Sequence, residues 1–544
     1  MQRGADIVAR ALEQLGATCV FTLSGNHIMP IFDALLSTNI RLIHVRHEAA
    51  CVHMADAWGR LTGQPGVALV TGGQGHSNAV AALYNALASE SPLVLLSGHA
   101  PLRELGRGAF QEMAQADLAR PVSKASWTAQ GTAALGEDIA KAFELASTGR
   151  PGPVHISLPV DLLEQTISDD QIVRMTKRHS YGSPFSPGVV DNVIAQLHAA
   201  AKPLVICGPA MCTEGRRALM RKAADALGVP VLGMESPRGI NDPGLGALSE
   251  ILAEADLVVL VGKPLDFSLR FGEAPALSPS CKWIAIDPDP DLLARAAKAL
   301  GDQLLLSEVA EGRTAIEALI AQSAATRTAS SGWRAQVERL LAFEPAQWQS
   351  ARAKHPGCVH PIEMCRAIAD FVAKHEGATF ISDGGEIGQW AQALVKTDRR
   401  LINGIAGTIG VSLPFAMAAR LARPDHPVVA VMGDGTFGFH MAEFDTAVRN
   451  DLPVIVVVGN DARWNAEYQI QLRQYGAERA KNCDLLPSRY DRVVEALGGF
   501  GALVTAAADL PDALQRAYNS GKPACINVMI ESAGAPVIRT MRDA

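Results

Sequence analysis

The sequence predicts an α/β fold of three doubly wound segments, each a parallel sheet covered by helices. Short apolar, β-branched runs alternate with helical stretches along the chain. A length of 544 residues exceeds what one core can hold, so several domains are required. Two breaks divide the alternation. One is a polar, irregular linker at 167–187; the other is Lys354-His355-Pro356-Gly357, after a charged helical stretch. The expected domains are 1–170, 188–325 and 355–544.

In the first segment, 5–15 reads as a helix, Cys19-Val20-Phe21-Thr22 as a strand and 28–36 as a helix. Leu42-Ile43-His44-Val45 is a strand and 48–62 a helix. Val67-Ala68-Leu69-Val70 is a strand, followed by a glycine turn and a small-residue helix near 78–88. Leu93-Val94-Leu95-Leu96 and Val154-His155-Ile156-Ser157-Leu158 complete the set. The central segment offers strands at 204–207, 229–232, 257–261 and 283–286. In the third, Val428-Val429-Ala430-Val431-Met432 and the run 452–458 read as buried strands around a helix at 439–450. The first and third segments look alike in organisation but not in sequence.

Composition narrows the class. Apolar residues make up 48% and charged residues 19%, as in an ordinary globular protein. A net charge of −7 with no basic run argues against nucleic-acid binding. No apolar stretch reaches the roughly 18 residues of a membrane span. The first residues lack a signal-peptide core, so a cytoplasmic location is expected. Nine scattered cysteines contain no CxxC pair, which fits reduced thiols rather than zinc or a disulfide framework.

The most informative stretch begins at Gly433-Asp434-Gly435 and ends at Asn460-Asp461-Ala462-Arg463-Trp464. Strand, helix and strand form a βαβ unit whose crossover brings both strand ends to one sheet edge, where ligands bind. Asp434 is expected in the turn after one strand and Asp461 past the next. Two hard oxygen ligands beside a glycine turn suit Mg²⁺ holding a phosphate; ordinary turn aspartates are the alternative. In the first segment, Arg46-His47-Glu48-Ala49-Ala50 sits at a strand-to-helix junction, where Glu48 is also simply a favourable first-turn acid. Thr71-Gly72-Gly73-Gln74-Gly75-His76-Ser77-Asn78 is a turn suited to an anion or to tight packing.

Taken together, these pieces resemble the thiamine diphosphate enzymes of the acetolactate synthase-like group over nearly the whole chain. They are also similar to benzaldehyde lyase and to the 2-hydroxyacyl-CoA lyase and oxalyl-CoA decarboxylase branch. The matching stretches are 46–50, 106–112, 119–124 and 149–163, together with the GDG and asparagine-pair motif. The resemblance implies pyrimidine-binding, central and diphosphate-binding domains. The cofactor would lie between the first domain of one subunit and the third of another, so a homodimer at least, and commonly a homotetramer, is implied. Glu48 would hydrogen-bond the aminopyrimidine ring, with its pKa raised in an apolar cleft. Asn78 belongs to the same half. Ile409 would wedge between the two cofactor rings, although it reads equally as core. Gly384 and Gly407 would accept the amino group through their carbonyls, with Gly385 and Gly433 beside them. Asp434 and Asp461 would bind Mg²⁺ through side chains and Arg463 through its carbonyl oxygen. Gly435 and Thr436 would offer N–H groups to the diphosphate.

Departures from the family narrow the reaction. Asp461 stands where the family usually has a second asparagine, adding a negative charge beside the diphosphate. The substrate side is expected to carry Asn26 and His27, His76 in the next glycine loop, and Gln111. The two histidines are candidate proton shuttles or structural residues. Val160, Gly388 and Asn403 replace larger groups of benzaldehyde lyase, so an aromatic aldehyde is not expected. The stretch 261–272 looks closer to the acyl-CoA lyase branch than to acetolactate synthase, which favours ADP or nothing over FAD in the central domain.

The reading is a thiamine diphosphate- and Mg²⁺-dependent lyase or carboligase acting on 2-keto acids, 2-hydroxy ketones or 2-hydroxyacyl-CoA, with acetolactate synthase-like chemistry leading. A non-catalytic subunit of the same fold and a flavin-coupled 2-keto acid oxidase are the alternatives.

Overall fold

The apolar runs pair into three parallel sheets in the computed structural model, which describes residues 1–175, 185–323 and 331–540. The first sheet runs, in spatial order, Arg41–His44, Cys19–Thr22, Gly66–Val70, Leu93–His99, Pro153–Pro159 and Ala125–Thr128. The third runs Arg400–Ile402, Thr379–Ser382, Val428–Gly433, Ile455–Asn460, Ala524–Met529 and Phe500–Val504. Counted along the chain, both have the order 2-1-3-4-6-5, so the likeness of the two segments is one of topology. The central sheet has five strands: Val231–Gly233, Pro203–Cys207, Leu257–Val261, Lys282–Ile286 and Leu304–Glu308. Every residue of Leu93–His99 and Pro153–Pro159 is buried, as expected when helices cover both faces.

Several elements differ from the sequence expectation. The helix expected at 78–88 begins at Gln74, because Gly73 makes the turn at φ +60° and frees the chain to coil at once. The helix expected at 439–450 is two short ones, Asp434–His440 and Glu443–Arg449, so Asp434 opens a helix directly off the strand. The strand expected at 452–458 is Ile455–Asn460: Pro453 has no N–H to give a ladder, and pairing starts beyond it. Asn460 is therefore the last strand residue, opposite Met529. The edge strand Ala125–Thr128 has no continuous apolar run to announce it, and Leu304–Glu308 has only three leucines before it turns polar. Positions 176–184 of the expected linker, the expected boundary at 325 and the last four positions lie outside the described residues. Among the described residues, no helix is long and apolar enough to cross a membrane.

The first and third segments share one apolar cluster. Helix Glu48–Thr62 lies against helix Ser412–Ala422, and their small residues, among them Ala50, Ala57, Ala416 and Ala419, permit close approach. Phe415 is fully buried there, a burial that contributes about 1.5–3 kcal/mol. Arg60 crosses the junction, donating to the Ile402 carbonyl at 2.6 Å and lying 5.2 Å over the Phe415 ring. Glu443, on the third segment, accepts the Arg46 N–H at 3.0 Å and so fixes the junction that presents Glu48.

Candidate functional site

Each six-stranded sheet has a crevice where its first and third strands lie side by side and the chain leaves them in opposite directions. In the third segment, Thr379–Ser382 leads there into Asp383-Gly384-Gly385, and Val428–Gly433 leads into Asp434. A cavity of about 270 Å³ opens between them. Its lining brings together Gly384, Gly385, Gly407, Ile409, Gly433, Asp434, Gly435, Thr436, Asp461 and Arg463. Ile409 is half-buried rather than part of the core, as a residue that projects into the cavity must be. A Cβ on Gly384 would sit 2.8 Å from Ile409 Cγ2, so glycine is what lets these two walls meet. A Cβ on Gly435 would likewise meet the Trp464 ring at 2.8 Å.

The loop after Asn460 is built to reach Asp434. Asn460 is fully buried; its Nδ2 donates to Ser488 O and Asn527 Oδ1, both at 3.1 Å. Its Oδ1 accepts the Ala462 N–H at 3.1 Å, holding Ala462 at the left-handed φ of 54°. That turn brings the Arg463 N–H to Asp434 Oδ2 at 3.1 Å. The Arg463 guanidinium points away, to Asp484 and the Tyr468 ring. Burial pushes the Asp434 carboxyl up to about 6. Burial, with repulsion from Asp434 next, pushes Asp461 up to about 8. Two buried carboxyls that repel each other fit a divalent cation, which would neutralise both. Among the described residues, no three His, Cys, Asp or Glu side chains gather as a metal site. Mg²⁺ would therefore rest on this pair with backbone and phosphate oxygens.

The first segment forms a second half-site at the equivalent crevice of its own sheet. Glu48 opens its helix and accepts from Asn78 Nδ2 at 3.0 Å, while Asn78 accepts from Gln74 at 2.8 Å. Gly75 packs over Glu48 and Thr71; Thr71 Oγ1 lies 3.4 Å from His27 Nδ1; and Gly25 packs on Thr71. His27 is buried, stacks with its ring 6.0 Å from that of the exposed Phe110, and is held below the ordinary histidine range by burial. Asn26 is exposed beside it. Gln111, at φ 57°, folds over Gly73. His76 differs: it is fully buried, with Nδ1 2.8 Å from Ser97 Oγ and Nε2 3.0 Å from Gln115 O, and burial pushes it down to about 4.

Among the described residues, none of those lining the third-segment cavity belongs to the first segment. One chain thus carries two half-sites that it does not itself bring together.

Some lining residues carried little sequence signal. Glu386, buried after the Gly-Gly turn, accepts from Gln389 at 2.8 Å, and burial raises its carboxyl. Its one signal is an acid directly after that turn. Arg238 reaches the cavity from the central segment, which no local pattern announces. Gly388 is no pocket residue: a Cβ there would lie 2.0 Å from the Asp383 carbonyl. The crevice of the central sheet, between Gly208 and Gly262, is plugged from the first segment. Arg150 bonds Gly262 O, Asp287 at 2.9 Å and Glu90 at 2.5 Å.

Comparison with known proteins agrees in all three segments. Residues 2–118 match the family described as thiamine pyrophosphate enzyme, N-terminal TPP binding domain; 190–303 match its central domain, and 383–528 its C-terminal TPP binding domain. An acetolactate synthase large subunit of Mycobacterium tuberculosis is 32% identical over 96% of this chain and 95% of its own. A 2-hydroxyacyl-CoA lyase of Arabidopsis thaliana is 28% identical over 97% and 95%. The human 2-hydroxyacyl-CoA lyase 2 is 30% identical over 97% and 90%.

Proposed function

The chain belongs to the thiamine pyrophosphate enzyme family, and from that premise we propose that it makes or breaks a carbon–carbon bond beside a carbonyl, with Mg²⁺ anchoring the cofactor. It is a thiamine diphosphate-dependent enzyme of the acetolactate synthase and 2-hydroxyacyl-CoA lyase type. The donor we favour is a 2-keto acid, with acetolactate synthase-like ligation as the leading reaction. One observation supports the site assignment above the others: the acidic pair, the glycine turns and Ile409 line one cavity, and Glu48 stands at the matching crevice of the twin sheet.

When bound, the cofactor supplies a nucleophilic carbon and an electron sink. The protein's residues place it. Asp434 and Asp461 would hold the metal, and the N–H groups of Gly435 and Thr436 would meet the diphosphate. Gly384 and Gly407 would receive the amino group, and Ile409 would fill the bend. Glu48 Oε, oriented by Asn78, would hold or give up a proton beside the pyrimidine ring. Glu48 and Ile409 of one chain then serve different cofactors, which makes a homodimer the smallest active unit and a tetramer two of these. His27, Asn26 and Gln111 face the reacting group. His76, with both ring nitrogens engaged, holds its loop rather than moving a proton.

A second donor class is favoured by a separate cleft. Beside the cofactor cavity, and sharing Pro237, Arg238 and Gln389 with it, a cleft of about 1240 Å³ is lined by Arg238, Arg270, Arg473 and Arg539. Such a lining suits the phosphates of an acyl-CoA. In the central domain, Arg150 and its partners occupy the strand-end crevice where a flavin would lie; a neighbouring cleft with Lys124, Lys263 and Arg295 is where ADP would bind. A donor and acceptor screen with 2-keto acids and 2-hydroxyacyl-CoA esters, scored by donor loss and ligation product, decides between the two. Turnover of neither class overturns the proposal.

A further inference from the structure

A buried carboxylate outside the metal and proton-transfer groups joins the two walls of the cofactor cavity. Asp383 is fully buried at the end of strand Thr379–Ser382. Its Oδ1 accepts the N–H of Gly384 at 2.8 Å and the N–H of Gly410 at 2.9 Å. Its Oδ2 accepts the N–H of Ser412 at 3.0 Å. One wall begins at Gly384, which leads into helix Gly385–Leu394; the other carries Gly407 and Ile409 and leads into helix Ser412–Ala422. The carboxylate therefore lies at the start of both helices, where backbone N–H groups favour a negative charge.

The second wall is gripped from its other side as well. The Gly410 carbonyl accepts from His440 Nδ1 at 2.9 Å, so both backbone polar groups of Gly410 are engaged. Asn403 Nδ2 donates to Thr408 O at 2.8 Å, bracing the residue before Ile409. With no Cβ at Gly384 to hold the walls apart, the bonds to Asp383 set how far Ile409 stands from Gly384. The metal pair also has a brace of its own, through Asn460, Ala462 and the Arg463 N–H.

We infer that Asp383 is a positioning residue that fixes the spacing between the Gly384 wall and Ile409, and through it the bend of the bound cofactor, without contributing to the diphosphate and metal anchor. The inference rests on the assignment of this cavity to thiamine diphosphate. It separates two properties that a merely structural role would move together: the grip on the ring portion of the cofactor and the grip on diphosphate.

The test uses the full-length protein with Asp383→Asn, which keeps the shape but loses the charge, and Asp383→Glu, which keeps the charge but shifts the carboxylate. Calorimetry measures binding of Mg²⁺ with thiamine diphosphate and of Mg²⁺ with inorganic diphosphate. NMR measures hydrogen–deuterium exchange at the thiazolium carbon at saturating cofactor. Both variants should bind inorganic diphosphate within about threefold of wild type, lose about tenfold or more in thiamine diphosphate affinity, and slow exchange by about tenfold or more. Wild-type exchange in both variants overturns the inference. So does a parallel loss of both affinities, or failure of both variants to fold, since each makes Asp383 a stabilising residue only. Wild-type protein that binds no thiamine diphosphate overturns the site assignment instead, which keeps the two failures apart.

Discussion

Asp434 and Asp461 line one cavity from the ends of adjacent strands, and repulsion from Asp434, after burial, pushes the Asp461 carboxyl up to about 8. Two carboxyls thus stand where the resemblance implies one carboxylate and one amide, and in the proposed site a divalent cation would let both ionise. Asp461→Asn keeps a ligand oxygen and removes one buried charge. Calorimetry should show Mg²⁺-dependent thiamine diphosphate binding within about threefold of wild type or tighter, whereas Asp434→Ala should weaken it by about 100-fold or more. Binding indifferent to EDTA in the wild type would remove the metal from the account.

Gly384→Ala tests the contact between the cavity walls. The added Cβ falls 2.8 Å from Ile409 Cγ2 and 3.1 Å from Asn403 Nδ2, and φ at this position is ordinary, so any effect is steric. Overpacking of this kind costs about 1–3 kcal/mol, or roughly five- to 150-fold in cofactor affinity. Unchanged affinity would show that the walls yield freely.

How much of this was legible in the sequence depended on whether a feature is local. The strands Leu93–His99 and Leu257–Val261 are buried on both faces, so their apolar runs declare them. Edge strands such as Ala125–Thr128 mix polar and apolar residues and do not. Asp434 and Glu48 stand in compact motifs beside glycines and a helix start. Asp383 is different: its three donors come from positions 384, 410 and 412, and only the folded loops unite them. His76 reads as a site histidine because it follows a glycine turn, and only Ser97 and Gln115 reveal both nitrogens as occupied. The arginines of the cleft beside the cavity come from the central segment and from two distant parts of the third, so no spacing could join them.

The plugged central crevice carries a pH dependence. Burial pushes the Asp287 carboxyl up to about 6 despite the opposing Arg150. A carboxyl raised on folding favours the protonated form, so its contribution is fully present below the ordinary carboxylate range and is lost as pH rises through about 6. From pH 5 to pH 8 this group alone should cost about 1–2 kcal/mol of stability. Asp287→Asn has no such titration, and its thermal midpoint should fall less over that range than the wild type's. Parallel curves would contradict the assignment.

Glu48→Gln leaves the anchor untouched but removes the group proposed to exchange a proton with the pyrimidine. Hydrogen–deuterium exchange at the thiazolium carbon should slow by about 100-fold or more, with thiamine diphosphate affinity within about threefold of wild type. Wild-type exchange in this variant would take Glu48 out of the mechanism.

In the proposed enzyme each site joins Glu48 of one chain to the Asp434 cavity of another. Co-expression of differently tagged Glu48→Gln and Asp434→Ala chains, each silent in thiazolium proton exchange alone, checks this pairing. Random pairing leaves one intact site in each mixed dimer, so the unfractionated mixture should recover about a quarter of the wild-type exchange rate, and the purified mixed dimer about half. A mixed dimer no more active than its two parents would show that one chain supplies both halves of its own site.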